Sequence, residues 1–162
     1  MECRAYDVLN SEEARLEAAG NPKSMYHINK PEINLEPGAT DTDPRVYDVA
    51  AQQLKLFIDE GWLLRDDKEC YYLYAQTMNG KTQYGLVVCC HAEDYNQGLI
   101  KKHELTRRDK EDDRMRHILS TRAQIGPVFL AYRQGEVLRK LVERYAKSCA
   151  EYDFIAPVDG FR

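Results

Sequence analysis

The sequence predicts an α+β protein, a mixed α/β fold in which a central sheet with an Asn-Gly β-hairpin is flanked by amphipathic helices. The apolar runs 71–75 and 86–88 flank the dipeptide Asn79-Gly80. Asn-Gly between such runs is the strongest short hairpin signal, because both central residues of a type I′ turn need positive φ. Apolar residues at helical spacing on both sides of this hairpin predict the flanking helices.

The two-residue loop of the hairpin also sets its register. It places Leu73 opposite Leu86 and Ala75 opposite Tyr84. Both faces of the hairpin carry bulky side chains, a pattern typical of strands that are covered on both sides. We therefore expect the hairpin to lie in the centre of the sheet.

Capping residues mark two helices before the hairpin. Asn10 with Glu13 three residues later predicts a capping box at the start of the first helix. Asp43-Pro44 predicts the start of the second, because proline is favoured at the first helical position. Gly61 is well placed to end that second helix.

Further elements are predicted on both sides of the hairpin. Thr106 can cap a helix that reaches Thr121, and the segment 136–149 has the apolar spacing of an amphipathic helix. A short turn or helix is expected over 93–97. Three other segments have the composition of strands: 24–29, 127–132 (expected to be buried) and 152–155.

Composition narrows the function classes. A chain of 162 residues suits a single domain. The net charge of −4 argues against a general nucleic-acid binder, which needs a basic face. Five cysteines without a C-x-x-C motif indicate reduced thiols, and neither a signal peptide nor a membrane-spanning run is present. We expect a cytoplasmic protein.

The segment 98–127 has more charged residues than a segment that only supports the fold usually has. Its core, 101–122, holds eight basic residues, five acidic residues and two of the four histidines. Charges at i and i+4 can pair along a solvated helix. The apolar stripe is thin, however, and a helix this polar is usually held by something other than burial of an apolar face. A docking surface for a partner is therefore an alternative to a purely solvated helix.

An anion site is a third interpretation of the same segment. Helix N-termini attract anions through free N–H groups and the helix dipole. Lys102 and Arg107, near the predicted helix start, could hold a phosphate, and His103 or Glu104 could act as general acid or base. Cations and donors also share one helical face at i, i+4, i+7 and i+11: Lys110, Arg114, His117 and Thr121.

Other polar residues are possible members of a site. Gln124 is polar in apolar surroundings and is kept as a candidate anion ligand. His103, Glu104, Asp113 and His117 have metal-ligating side chains, but no metal motif is present and no metal site is predicted. Lys30 and Glu32 flank Pro31 and could reach a ligand, although charges beside a proline usually lie on a loop.

Several strings in the sequence identify a family. YDVLNSEEA, INKPEINL, QTMNGKTQYGLV, IKKHELTRRDKEDDRMRH and AQIGPVFLAYR occur in this order along nearly the whole chain. Together they resemble a widespread bacterial and archaeal family of unknown function, domain-of-unknown-function family 1015. The long charged string is the most specific part of the resemblance. One departure is Ala5, where the family usually has proline before the Tyr-Asp pair.

The resemblance implies more than the residues alone. Family members are about twice this long or longer, with a downstream Asp-Gly-His-His-Arg motif that is similar to one in free-serine kinases of the ParB/sulfiredoxin-like class. The resemblance therefore implies that residues 1–162 are a single domain and the N-terminal part of a longer protein. Their genes often lie beside serine-biosynthesis genes. The implied activity is a phosphotransferase or phosphatase acting on serine or phosphoserine, with ATP or ADP and Mg²⁺ in the full-length protein.

Three functions therefore stay open. The first is an enzyme that binds a small phosphorylated metabolite through Lys102, Arg107, Arg114, His117 and Gln124. The second is a non-catalytic binding or regulatory module that uses the charged helix 101–122 as a docking surface. The third, nucleic-acid binding through the ParB-like relationship, is the least compatible with the acidic composition.

Overall fold

The computed structural model describes residues 3–103, 105–133 and 135–156. These residues form six α-helices, one 3₁₀ helix and a two-stranded antiparallel sheet, which confirms the α+β class. The elements in chain order are α1 (Ser11–Ala18), α2 (Tyr26–Asn29), the 3₁₀ helix (Pro31–Asn34), α3 (Val46–Asp59), β1 (Tyr72–Met78), β2 (Lys81–Val87), α4 (Ala92–Asn96), α5 (Arg108–Thr121) and α6 (Glu136–Tyr145).

The chain divides into two compact units. The first unit combines Met1–Arg65 with His103–Pro127, and the second combines Asp66–Lys102 with Val128–Arg162. The first unit holds α1, α2, the 3₁₀ helix, α3 and α5, while the second holds the hairpin, α4 and α6. None of the helices in the described ranges is long and apolar enough to cross a membrane.

Helix α1 begins as its capping residues predict. The side chain of Asn10 accepts a hydrogen bond from the backbone N–H of Glu13 (2.9 Å), and the Glu13 carboxylate accepts one from the backbone N–H of Asn10 (2.9 Å). This reciprocal pair is the predicted capping box. Ala14 and Ala18 lie on the buried face of the helix and pack beside Tyr26.

Helix α3 begins at Val46 rather than at the predicted Asp43-Pro44. The Asp43 carboxylate instead accepts hydrogen bonds from the backbone and side chain of Arg45 (2.9 and 3.0 Å), which forms a turn before the helix. The end of α3 is as predicted. Gly61 has φ +68°, and the N–H of Trp62 donates to the carbonyl of Phe57 (2.9 Å), as in a Schellman motif.

The predicted strand 24–29 is wrong, because this segment contains helix α2. Alternate side chains here are indeed buried, including Ser24, Tyr26 and Ile28. Alternating burial is the pattern of a strand that is covered on one face. A short helical turn that is packed from several sides produces the same alternation. The segment is helical because the N–H of Lys30 donates to the carbonyl of Tyr26, four residues earlier (2.8 Å).

The hairpin of the second unit has the predicted turn and register. Leu73 pairs with Leu86 and Ala75 with Tyr84, while Asn79 and Gly80 have φ of 51° and 74°. The prediction that it is central and covered on both sides is wrong. In the described part of the chain the sheet has two strands, and the side chain of Tyr74 is 57% exposed.

The predicted strands 127–132 and 152–155 are also wrong. Neither segment forms a strand, and Phe129 and Ile155 are 84% and 67% exposed. A strand needs a neighbouring strand to bond its backbone, and apolar composition alone does not supply one. Helix α6, by contrast, forms where its spacing predicts it, although it ends at Tyr145 and its apolar face is not buried.

A buried ion pair joins three segments of the first unit. The ammonium of Lys30 lies 3.2 Å from the Glu32 carboxylate, and the two side chains are only 9% and 2% exposed. The Ser11 hydroxyl donates to the same carboxylate oxygen (2.8 Å), and Lys30 also donates to the carbonyl of Tyr6 (3.3 Å). Both charged residues are therefore core residues at the start of the 3₁₀ helix, and the expectation that they lie on a loop is wrong.

The buried pair predicts a large effect of removing one charge. Glu32→Gln leaves the Lys30 ammonium without its counter-charge, so the free energy of unfolding of the first unit should fall by about 3–5 kcal/mol. Urea unfolding followed by Trp62 fluorescence measures this, since Trp62 packs edge-on against the core residue Phe57.

A matched substitution serves as the control. Glu12 lies on α1 with a side chain that is 66% exposed. Glu12→Gln should change the free energy of unfolding by no more than about 0.5 kcal/mol. Equal effects of the two substitutions would contradict the structural role of the buried pair.

Candidate functional site

Helix α5, the charged helix, packs with its polar side facing inward. His117 and Thr121 are buried, at 2% and 8% exposure, and Arg114 is half-buried. Met115 and Leu119 are exposed, at 53% and 62%. The inner face packs against α3 and the chain around Ile28. The helix therefore has the reverse of the usual amphipathic orientation, in which apolar residues face the core.

His117 connects α5 to the core. Its Nε2–H donates to the backbone carbonyl of Ile28 (2.8 Å), which fixes the tautomer of the neutral ring because a carbonyl can only accept. Burial lowers the pKa of His117, although the bond to Ile28 acts in the opposite direction. Thr121 completes this face by donating its hydroxyl to the carbonyl of His117 (2.7 Å).

Arg114 lies against an aromatic ring and a carboxylate. Its guanidinium carbon is 4.1 Å from the centre of the Tyr6 ring, and its Nη2 is 2.7 Å from the Asp113 carboxylate. The Tyr47 hydroxyl of α3 donates to the other Asp113 oxygen (3.0 Å). Burial, followed by this bond, raises the pKa of Tyr47. The predicted row of cations thus already has carboxylate partners at Arg114 and at Lys110, which pairs with Asp41 (3.7 Å).

The N-terminal end of α5 has exposed side chains. Arg107 is the N-cap residue, and no side chain caps the helix within the described ranges. The Thr106 hydroxyl donates to Glu111 instead of capping the first turn. Arg107 pairs with Asp109 (2.7 Å), and its hydrogen bonds hold the pKa of that carboxyl below its ordinary value. His103 is exposed in the same unit.

The remaining predicted site residues lie elsewhere. Lys102 belongs to the second unit, where its ammonium lies 4.9 Å from the centre of the Tyr95 ring at an open depression of about 350 Å³. Gln124 is exposed on the first unit. Glu104 lies outside the described residues. The structure therefore places Arg114 and His117 side by side on one face of α5, and the roles of all these residues in binding or catalysis stay predictions.

The outer face of α5 was not foreseen in the sequence. Its exposed side chains are Met115, Ile118 and Leu119 in the C-terminal half, bordered by charged residues. The sequence does contain a signal for this face. The apolar stripe of the helix is thin, and the opposite face carries a row of hydrogen-bond donors that can bond to carbonyls of the core. Among the described residues, no group of three or more His, Cys, Asp or Glu side chains could hold a metal ion.

These features define an α+β protein whose first unit contains a charged helix with a hydrogen-bonded polar inner face and an exposed apolar outer face. The chain belongs to the family described as "Protein of unknown function (DUF1015)", whose model matches residues 1–162. This confirms the resemblance seen in the sequence. Searches of curated proteins and of solved structures gave no significant match.

The lowered pKa of His117 predicts a loss of stability in mild acid. The unfolded imidazole takes up a proton near the ordinary pKa of 6.5, whereas the folded one stays neutral to lower pH. The unfolded state therefore binds more protons as the pH falls below 6.5, and the free energy of unfolding decreases from there down to the folded pKa. Urea unfolding between about pH 7.5 and about pH 5.5, followed at Trp62, measures this decrease.

Two substitutions separate His117 from other titrating groups. His117→Gln should reduce the decrease in this pH window, because glutamine carries no titrating group. His103→Gln, at an exposed histidine, should leave the decrease unchanged. A wild-type protein whose stability does not change over this window would contradict the prediction.

Proposed function

We propose that this chain is a binding module that docks a protein partner on the outer face of α5. The observation that carries the proposal is the reversed orientation of the helix. Met115 and Leu119 lie one turn apart, so their exposed side chains are neighbours on the helix surface. Exposed apolar neighbours with a charged border are typical of the centre and rim of a protein interface.

The border of this face indicates the charge of the partner. Three arginines and two carboxylates surround the apolar centre, and Glu111 already accepts the hydroxyl of Thr106. The rim therefore carries one more positive charge than negative charges. Its residues are Arg108, Glu111, Asp112, Arg116 and Arg122. A partner of complementary charge is an amphipathic helix with leucine anchors and an acidic border.

The inner contacts of α5 support a docking role. The bond from His117 to the Ile28 carbonyl and the bond from Tyr47 to Asp113 hold the helix at its polar side. A helix that is fixed in this way presents its outer face in a defined orientation before binding. Less conformational entropy is then lost when the partner docks.

Docking predicts that a charge placed in the apolar centre weakens binding. The probe is a fluorescently labelled helical peptide with leucine anchors and a glutamate border, and its Kd is measured by anisotropy. Leu119→Asp should weaken binding by about tenfold or more, since it buries an unpaired charge in the interface. Arg108→Glu should weaken it by a smaller factor and reduce its salt dependence.

A leucine in the second unit provides the control. Leu141 lies on α6 and is also exposed, at 43%, so Leu141→Asp makes the same chemical change away from α5. Equal loss of affinity in the two variants, or equal binding of a peptide with a lysine border, would overturn the proposal. A dimer seen by sedimentation that Leu119→Asp dissociates would identify a second copy as the occupant instead.

A second candidate function is supported by the N-terminal end of α5. We infer that a phosphorylated metabolite, phosphoserine by the family analogy, binds there to Arg107 at the positive end of the helix dipole. The observation behind it is that no side chain caps the first turn within the described ranges, while Arg107 is exposed. His103 or Glu104 would then act as general acid or base, with ATP or ADP and Mg²⁺ as cosubstrate.

Phosphate binding predicts a rise in melting temperature. Phosphoserine at about 100 times its Kd should stabilise the protein by roughly 2.7 kcal/mol, which is a rise of several degrees. Inorganic phosphate, serine, and ATP or ADP with Mg²⁺ are compared in the same assay. Arg107→Ala should remove the rise, whereas Arg139→Ala, at another carboxylate-paired arginine, should keep it. No rise with any of these ligands would contradict this second function.

A further inference from the structure

Two cysteines lie just beyond the open end of the hairpin, one next to each strand. The last paired residues of the ladder are Tyr72 and Val87, and each step away from the turn lowers the residue number on the β1 side by one and raises it on the β2 side by one. If the same register continued for two more steps, Cys70 would lie opposite Cys89. Both thiols are free and exposed, so they are accessible to a small oxidant.

The spacing of paired strands suits a disulfide at this position. Opposed residues of an antiparallel pair have Cα atoms about 4.5–5.5 Å apart, and a disulfide requires about 4.4–6.8 Å. Opposed residues also point to the same face of the sheet. Extending the ladder by two residues would therefore bring the two thiols into bonding range, away from the Lys68 carbonyl that Cys70 now contacts at 3.4 Å.

The neighbouring thiol of Cys90 does not share this position. Adjacent residues of an extended strand point to opposite faces, so Cys89 and Cys90 cannot both face Cys70. The register therefore selects one of two consecutive cysteines. This selection separates the proposed pair from a chance cluster of exposed thiols.

We propose that Cys70 and Cys89 are a redox-sensitive pair that a hydroperoxide converts into a cross-strand disulfide. The peroxide oxidises one thiol to a sulfenic acid and releases water. The second thiol attacks the sulfenic sulfur, the S–S bond forms, and a second water leaves. The balance is two thiols and one hydrogen peroxide giving one disulfide and two water molecules.

The disulfide would fix the base of the hairpin. A two-stranded hairpin is marginally stable in water by itself, and this one pairs with no third strand in the described part of the chain. Closing the loop between Cys70 and Cys89 would restrict the opened hairpin and favour the paired one. Because disulfides inside cells are usually transient and redox-sensing, oxidation would act as a reversible change in the order of this unit.

Peptide mapping tests the pair directly. The full chain is treated with hydrogen peroxide, free thiols are blocked, and the protein is digested with trypsin without reduction. Cleavage after lysine gives peptide 69–81, which contains Cys70 alone, and peptide 82–101, which contains Cys89 and Cys90. We expect these peptides to be joined, to stay joined in Cys90→Ser, and to separate in Cys89→Ser.

Other outcomes overturn the proposal. A link that survives in Cys89→Ser but not in Cys90→Ser would show that the register does not select the cysteine. A disulfide within peptide 82–101, or a link that forms only between chains on a non-reducing gel, would exclude the pair. Amide exchange supplies a second readout, because oxidation should slow exchange in the paired strands by about tenfold or more. Unchanged exchange in the linked protein would overturn the effect on the hairpin.

Discussion

The first unit depends on the buried ion pair between Lys30 and Glu32. Charges this deep in a protein are tolerated only when they are paired and hydrogen-bonded, so the surrounding chain must supply the remaining partners. Ser11 at the start of α1 and the carbonyl of Tyr6 do so. The pair therefore fixes the N-terminal segment, α1 and the 3₁₀ helix together, and with them the position of Ile28, two residues before Lys30.

The orientation of α5 follows from this arrangement. The carbonyl of Ile28 is the acceptor for the buried imidazole of His117, and a helix that directs such donors inward must direct its apolar residues outward. Burying the exposed parts of Met115 and Leu119 would stabilise the fold by about 1–2 kcal/mol each, and the protein forgoes that stabilisation in the described structure. A partner that covers these residues would recover it. This links the packing of the core to the proposed docking function.

The sequence correctly predicts the features of the fold that depend only on the backbone conformation of a few neighbouring residues. The capping box at Asn10, the turn at Asn79-Gly80 and the end of α3 at Gly61 each need a backbone conformation that few residues provide. The strands predicted over 24–29 and 127–132 failed because apolar composition does not reveal whether a neighbouring strand exists. The inward position of His117 could not be predicted either, since its acceptor lies 89 residues away in the sequence.

The most direct test of this account is hydroxyl-radical footprinting of the full chain, with modification mapped by mass spectrometry. We expect rapid modification of Met115 and Leu119 on the outer face of α5. We also expect protection of His117 and of the core residues Tyr26 and Phe57, which the structure buries. Rapid modification of His117 together with protection of Met115 and Leu119 would mean that α5 packs in the usual amphipathic orientation, and the docking surface proposed on it would not exist.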